Sequence, residues 1–444
     1  MFQTFKNAWK VPELRKKILF TLMIILLYRI GATLTVPFVN TAIVDTEQAA
    51  ILQGGLFQFM GMISGSAFSQ ATFFALSVSP YITASIVMQL LTIAIPALER
   101  LSKDEDGKKK ISAATRWVTV GLALVTAYGY VNMLNISGML NFGGVNEIFG
   151  WIVMIACFCA GASLIMWLAE KINDHGIGNG ISMILFANIL SGGAAAVQSL
   201  INMVPFTGIG DWKIDNEVLG YVLGALEVLI SLAVALGAVI LVVWFTNSER
   251  RIKVIYAKKV VGRKMYGGQK TNLPLKMNMA GVMPVIFASS IVSIPATIAA
   301  FIPESGFAEF VTNWLSQVSP IYIGIFIILV FAFSYFYIAI SFNPVEVANN
   351  IRSNGGAIIG IRPQEMAPFI KKILNRVTLM GAVFLVIIAA VPMIVGAIVT
   401  AVGGNFTSLA FAGTSLLIVV GVALETVRDL EAQLSMRNYK GFLD

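Results

Sequence analysis

The sequence predicts an all-α polytopic membrane protein with ten transmembrane helices. Only 12% of its 444 residues are charged, whereas about 25% are charged in a typical soluble domain. Mean hydropathy is +0.82, and several apolar runs exceed the roughly 18 residues that indicate a transmembrane helix. Lys and Arg are concentrated in alternate loops, as expected for a chain that crosses a membrane repeatedly.

Ten hydrophobic stretches are long enough to be spans. They lie near residues 18–37, 72–95, 115–134, 150–170, 181–203, 218–245, 280–302, 319–342, 373–396 and 405–426. Little of the chain remains for a soluble domain, so we expect a single integrated membrane domain.

The distribution of cations orients these spans. Of the 31 Lys and Arg, 29 lie in the terminal segments and in every second loop, namely 1–17, 96–116, 171–180, 246–279, 343–376 and 427–444. Because such residues are retained on the cytoplasmic side, we expect both termini to be cytoplasmic. The net charge of +8 is then explained by topology, and we expect no direct DNA binding.

Five predicted spans fall in residues 1–210 and five in residues 211–444. An odd number of spans per half places the two halves in opposite orientations, which allows an inverted repeat with its axis in the membrane plane. The two halves share no obvious motif. The sequence therefore permits this symmetry without demonstrating it.

The residue types required for enzymatic or metal chemistry are few. Cys157 and Cys159 lie two positions apart in a helix, so they point to different faces and cannot chelate one ion. His175 is the only histidine, in a turn without partner ligands. We expect no catalytic residue, no metal site and no cofactor.

Ionisable residues are few within the predicted spans, and they include Arg29, Glu227 and Glu425. Charges at membrane depth often mark a solute pathway. For Arg29 the alternative is a cation that is buried against helix carbonyls or extends to the interface. An ion-coupled carrier would be expected to have more buried carboxylates.

Two segments between the spans are unusual. Residues 55–70, GLFQFMGMISGSAFSQ, carry no charge but are too short and too interrupted to cross a bilayer, which indicates a re-entrant segment. The loop 246–279 carries nine cations and one acid, and its pattern predicts strands around an exposed turn. It can bind an acidic or RNA-rich partner, or it can serve only topology and contact anionic lipids.

Long motifs in this chain resemble the SecY family, the channel subunits of the bacterial protein translocon. They include RIGATLTVP at 29–37, SVSPYITASIVMQLLT at 77–92, HGIGNGIS at 175–182 and FNPVEVANNIRSNGGAIIGIRP at 342–363. The other motifs are YAKK at 256–259, LPLKMNMAGVMPVIFASS at 273–290 and FAGTSLLIVVGVALETV at 411–427. The resemblance covers essentially the whole chain, with the spans in matching order.

The resemblance implies two five-helix halves around a central hourglass pore that is closed by a ring of apolar side chains. Matching motifs place this ring at Val78, Ile82, Ile181, Leu185, Ile286 and Ile418. Val78 and Ile82 are four residues apart, and so are Ile181 and Leu185. This spacing puts both side chains of each pair on one helix face. A ring without hydrogen-bonding groups excludes water and ions by dewetting.

The resemblance also implies a plug and a lateral gate. The plug, a short re-entrant helix below the ring, corresponds to residues 55–70, with candidates Leu56, Phe59, Met60, Ile63, Ser64, Gly65 and Ala67. The gate lies between spans two and three and spans seven and eight, with polar candidates Gln89, Thr92 and Asn278. A hydrogen bond across this seam is expected to hold the gate shut at a cost of about 1 kcal/mol.

The implied partners are the small subunits SecE and SecG, the SecA motor, the ribosome, anionic lipids, and signal sequences with the nascent secretory or membrane proteins that carry them. The cytoplasmic docking candidates are Arg250, Arg251, Lys258, Lys259, Arg263, Lys264 and Arg362. The implied location is the bacterial cytoplasmic membrane. Two alternatives remain at this point: a secondary transporter of a small solute, and an insertion scaffold that opens only sideways.

Overall fold

The computed structural model describes most of the chain and shows a largely helical protein. The described residues are 2–39, 66–136, 138–202, 208–209, 212–213, 217–256, 259–261, 264–266, 270–302, 305–315, 319–401 and 407–440. All structural statements below refer to these residues.

The described part of the N-terminal half contains eight helices. In chain order they are α1 (Phe2–Lys10), α2 (Pro12–Gly31), α3 (Ser66–Ser69), α4 (Ser79–Ala94), α5 (Pro96–Lys103), α6 (Glu105–Ile136), α7 (Glu147–His175) and α8 (Gly180–Asn202). A two-residue pair, β1 (Gly208–Ile209) with β2 (Trp212–Lys213), follows α8.

The C-terminal half adds a small sheet to its helices. Its elements are α9 (Glu217–Asn247), β3 (Glu249–Tyr256), β4 (Lys259–Val261), β5 (Lys264–Tyr266), β6 (Lys270–Lys276), α10 (Met283–Val292), α11 (Ile294–Phe301), α12 (Gly306–Trp314), α13 (Pro320–Ser341), α14 (Pro344–Ser353), β7 (Gly356–Ile358), α15 (Met366–Ala401) and α16 (Thr407–Lys440).

Helix occurs at each of the ten predicted span positions, so the all-α membrane class is confirmed. Four helical segments among the described residues are long and apolar enough to cross a membrane: Glu105–Ile136, Glu147–His175, Pro320–Ser353, which combines α13 and α14, and Met366–Val395. A fifth is added if the bent pair formed by α4 and α5 is one span. The count of ten stays a prediction.

Proline accompanies two breaks in the helices. The α4–α5 pair bends by 109° at Ile95, whose φ of −110° and ψ of 110° are extended. A residue that precedes proline is driven out of the helical region, and Pro96 follows directly. This bend coincides with the predicted end of the span 72–95. The predicted span 280–302 is divided into α10 and α11, and α11 has Pro295 in its first turn.

The two halves meet around one large apolar core. Helices α4 and α8 of the first half contribute Ile82, Ile184 and Leu185, while α10 and α16 of the second contribute Ile286 and Leu417. Helix α4 packs against α10, and α6 packs against α11. This core is where the expected pore would lie.

The irregular segment 66–78 is fastened tightly to the first half. The backbone N–H of Phe73 donates to the Leu34 carbonyl at 2.9 Å, and that of Val36 donates to the Ala71 carbonyl at 3.1 Å. Gly161 on α7 faces this segment so closely that an added Cβ would lie 1.9 Å from the Phe73 carbonyl oxygen. Glycine is therefore required at residue 161 by space.

The loop 246–279 contains the predicted strands, and a strand from another loop pairs with one of its strands. Strand β3 pairs antiparallel with β6, from Glu249 opposite Lys276 to Ile255 opposite Lys270. Its other edge pairs with β7, which belongs to the distant loop 343–372. Strands β4 and β5 pair as a separate antiparallel extension. The two basic loops thus form one unit.

We predict that Gly161→Ala destabilises the protein by about 1–3 kcal/mol, the usual cost of overpacking a filled site. The new methyl group would push the backbone at Phe73 away from α7. Thermal unfolding of the purified protein in detergent measures this effect.

Gly121→Ala on α6 is the matched control, because no atom lies within 4 Å of its added Cβ. Alanine favours a helix over glycine by about 1 kcal/mol, so this variant should be neutral or slightly more stable. Equal losses of stability in both variants would contradict the close contact at Gly161.

Candidate functional site

The six ring candidates converge in the structure. Val78 is the N-cap residue of α4, and Val78, Ile82, Leu185 and Ile286 are all at most 3% exposed. These four belong to the apolar core that joins the halves, and Ile181 and Ile418 pack against it as partly buried members. Residues from four separate helices therefore form one apolar cluster, as the ring requires.

A small cavity remains at the centre of this cluster. Ile82, Leu185, Ile286 and Ile418 line it together with four hydroxyl residues, and its volume is about 30 Å³. A water molecule needs a site of at least about 10–15 Å³ and several polar partners. The opening is therefore far too narrow for a polypeptide in this conformation.

Two of the hydroxyl groups beside the cavity form hydrogen bonds with a backbone carbonyl of their own helix. Ser289 Oγ and Ser290 Oγ both donate to the Ile286 carbonyl, at 2.9 and 2.8 Å. Hydroxyls that bond back to a carbonyl one turn earlier satisfy their donor locally. This arrangement reduces the attraction of the cavity for water.

Gln89 and Thr92, two of the gate candidates, bond within their own helix α4. Gln89 Nε2 donates to Ser85 Oγ at 3.3 Å, and Thr92 Oγ1 donates to the Met88 carbonyl at 2.7 Å. Among the described residues no hydrogen bond joins Gln89 to Asn278. The expected bond across the seam is not made here, and apolar packing of α4 on α10 closes it instead.

Asn278 lines a larger cavity of about 330 Å³, beside the C-terminal end of α9 and the N-terminal end of α10, with α16 forming another wall. Its charged lining residues are Lys276, Glu425, Arg428 and Asp429. Loss of hydration lowers the pKa of the Lys276 ammonium, and the nearby Arg428 charge lowers it further. Sequence reasoning missed this cavity because its walls come from helices far apart in the chain.

Most plug candidates lie outside the described residues: Leu56, Phe59, Met60, Ile63, Ser64 and Gly65. Ala67 is described and is 1% exposed. Beside it, the Tyr130 hydroxyl donates to the Phe68 carbonyl, and the two rings lie 4.6 Å apart. The C-terminal end of the candidate plug is therefore attached to α6.

The docking candidates lie on and around the three-stranded sheet. Arg250 and Arg362 are exposed, whereas the Arg251 guanidinium pairs with Glu249 at 2.6 Å. Lys259 and Lys264 lie on the paired strands β4 and β5, and Lys258 and Arg263 lie outside the described residues. Because β7 pairs with β3, Arg362 and the hairpin cations belong to one surface. The sequence did not predict this pairing.

The remaining polar candidates have structural contacts. Arg29 donates to Ser191 Oγ on α8, which favours the interpretation of Arg29 as a buried cation over that of a pathway charge. His175 ends α7 and lies 5.9 Å from the Phe20 ring. Cys157 and Cys159 are free thiols. Within the described ranges no three His, Cys, Asp or Glu side chains are placed to hold a metal.

Comparisons with known proteins agree with this geometry. Residues 72–427 match the model of the SecY family. The chain is 43% identical to the protein translocase subunit SecY of Streptomyces galbus over 457 residues, which covers 100% of both chains.

Two solved structures show the same fold. One is described as the structure of a protein conducting channel, with a TM-score of 0.59 at 17% identity and 96% coverage of each chain. The other is Sec61 in the canine ribosome-channel complex from the endoplasmic reticulum, with a TM-score of 0.58, 17% identity and the same coverage. Given the family match over most of its length and the full-length relative, the chain belongs to the SecY family.

Proposed function

We propose that this chain is a protein-conducting channel of the bacterial cytoplasmic membrane. It passes unfolded secretory polypeptides through its centre and releases transmembrane segments sideways into lipid. The observation that supports this proposal is the apolar cluster, in which residues from both halves enclose a cavity of only about 30 Å³. The relatives support this role, since S. galbus SecY is a translocase subunit.

The ring provides the seal. Flexible aliphatic side chains can separate around a peptide and close again, and a narrow apolar constriction resists wetting when it is empty. A small-solute transporter instead requires polar groups that hold its substrate near the midplane. The comparisons do not support that alternative, and the chain has no enzymatic activity of its own.

Lateral release requires the two halves to separate along one seam. Helices α4 and α6 face α10 and α11 there, and the described contacts are mainly apolar. An entering signal sequence can replace such contacts with its own apolar side chains at little cost. Gln89, Thr92 and Asn278 then mark the seam without bonding across it.

The SecA motor or the ribosome, which drives transport, binds on the cytoplasmic side. One fold relative is a channel in a complex with the ribosome, and the basic sheet offers a comparable surface for the ribosome or the SecA motor. SecE and SecG complete the channel as separate chains, and anionic lipids surround it. Both termini of this chain are cytoplasmic, residues 1–210 and 211–444 form the two halves, and residues 55–70 form the plug.

We predict that Ile286→Ser raises the resting ion conductance of the reconstituted channel several-fold, and that Leu185→Ser with Ile286→Ser raises it further. Each hydroxyl gives water a partner inside the constriction. Planar-bilayer recording measures the effect. Ile328→Ser is the control, because Ile328 is 68% exposed on the outside of α13 and should not alter conductance. Unchanged conductance in the double variant would contradict the ring.

We predict that Arg362→Glu lowers SecA-driven export about tenfold, which corresponds to about 1.4 kcal/mol of lost binding. Because the Arg362 side chain is exposed, the substitution should leave the stability of the protein unchanged. Export into inverted vesicles measures the loss. Arg100→Glu on α5 reverses an equally exposed cation on another loop, so equal inhibition by both variants would show a general charge effect.

We predict that a photo-cross-linking residue at Ile82 captures a secretory chain stalled in the channel, whereas the same residue at Ile328 does not. Ile82 borders the central cavity and Ile328 faces outward. Mass analysis of the adducts identifies the captured chain. Absence of any adduct at Ile82, with accumulation of a small solute by reconstituted vesicles, would instead support a transporter.

A further inference from the structure

A buried polar cluster lies directly beside the ring. Asn188 of α8 and Tyr28 of α2 are 0% exposed, and Ser77, in the turn before α4, is 2% exposed. The Tyr28 hydroxyl lies near the other two side chains, and it is buried without a hydrogen bond to the described residues. Polar groups at membrane depth are costly unless they are paired, so this cluster requires an explanation that the conducting path alone does not supply.

Ser77 has a strained backbone at a sensitive place. Its φ is +50°, in the left-handed region that costs an L-residue about 1–2 kcal/mol. The next residue, Val78, is both a ring candidate and the N-cap of α4, and its carbonyl accepts the first helical hydrogen bond from Ile82 at 3.0 Å. The conformation at Ser77 therefore sets where α4 begins and where two ring side chains lie.

Asn188 holds this turn in place. Its Nδ2 donates to Ser77 Oγ at 3.2 Å inside the protein, and breaking a buried hydrogen bond leaves a group whose desolvation costs about 1–3 kcal/mol. That amount is comparable to the cost of the left-handed conformation. The turn is also supported from α2, where the Tyr28 ring stacks on Phe74 at 5.3 Å.

Asn188 lies three residues after Leu185, on the next turn of the same helix. Helix α8 thus carries the ring residue Leu185, and its next turn carries the Asn188 amide. This amide fixes the ring residues on α4, which are Val78 and Ile82. We propose that Asn188 is a positioning residue, which sets the ring by holding Ser77 and thereby aligning Val78 and Ile82 with Leu185. This inference rests on the proposed ring.

The consequence is an asymmetric seal. Val78, Ile82 and Leu185 form a unit braced within the first half, because both α4 and α8 are tied to Asn188. Ile286 and Ile418 belong to the second half, and they move relative to this unit when the halves separate. After each passage the same braced surface is available for the seal to form again.

The test uses the complete channel reconstituted in planar bilayers. Asn188→Leu removes the donor at similar volume and should raise resting ion conductance several-fold, with export retained. Asn188→Ala is a second variant that cannot overpack, and it should leak in the same way. Ser182→Ala is the control, since Ser182 Oγ is buried on the same helix without a hydrogen bond to the described residues.

A rescue separates positioning from general destabilisation. Glycine adopts a positive φ without strain, so Ser77→Gly should hold the turn without help and reduce the leak of Asn188→Leu when the two changes are combined. Thermal unfolding of each variant is measured alongside conductance. A combined variant that leaks as much as Asn188→Leu, or single Asn188 variants that do not leak, would overturn the inference.

The ring variants distinguish this inference from the proposed function. If Leu185→Ser with Ile286→Ser leaks and the Asn188 variants do not, only the role of Asn188 is rejected. If neither leaks, the ring itself is rejected and the inference falls with it.

Discussion

The packing of α4 and α8 against α10 and α16 is the contact on which the rest of the structure depends. It has to be dry enough to exclude ions and weak enough to be parted by a peptide. Aliphatic side chains meet both demands, because their attraction is non-directional and depends on the area removed from water. The ring candidates are aliphatic, so their contacts with one another consist of apolar packing.

Several polar and close-packed contacts lie within the first half. Asn188 bonds to Ser77, Tyr130 bonds to Phe68, and Gly161 lies against the Phe73 carbonyl. These contacts fix the shape of one wall of the apolar core. Other directional contacts join the two halves: Lys17 Nζ donates to Gln433 Oε1, and the Gly178 N–H donates to Asp429 Oδ2, each at 3.1 Å.

Much of the architecture was predictable because its causes are local. Apolar runs indicate spans, alternate loops carry the cations, and the spacing of Ile181 and Leu185 places both on one helix face. The hairpin was predictable from its alternating strands and turn. The bend at Ile95 also has a local cause in Pro96, and it lies at the predicted end of the second span.

The contacts that the sequence did not predict join residues far apart in the chain. Strand β7 pairs with β3 across about a hundred residues, and Asn188 meets Ser77 across 111 positions. Neither partner has a pattern that identifies the other. An asparagine in an apolar helix indicates that a polar partner is needed, but only the fold shows which one. The sequence likewise did not predict that Gln89 would bond to Ser85 instead of to Asn278, although Ser85 is the nearer partner along the chain.

The cytoplasmic sheet is joined to the gate by a short connection. Strand β6 ends at Lys276 and α10 begins at Met283, and the Met277 N–H donates to the Ser248 carbonyl at 2.9 Å. Gly281, with φ of +64°, is the conformationally permissive residue in this connection. A change in the position of the sheet must therefore either bend the chain near Gly281 or move α10. Because α10 carries Ile286, only six residues of backbone, 277–282, separate the sheet from a helix of the central apolar core.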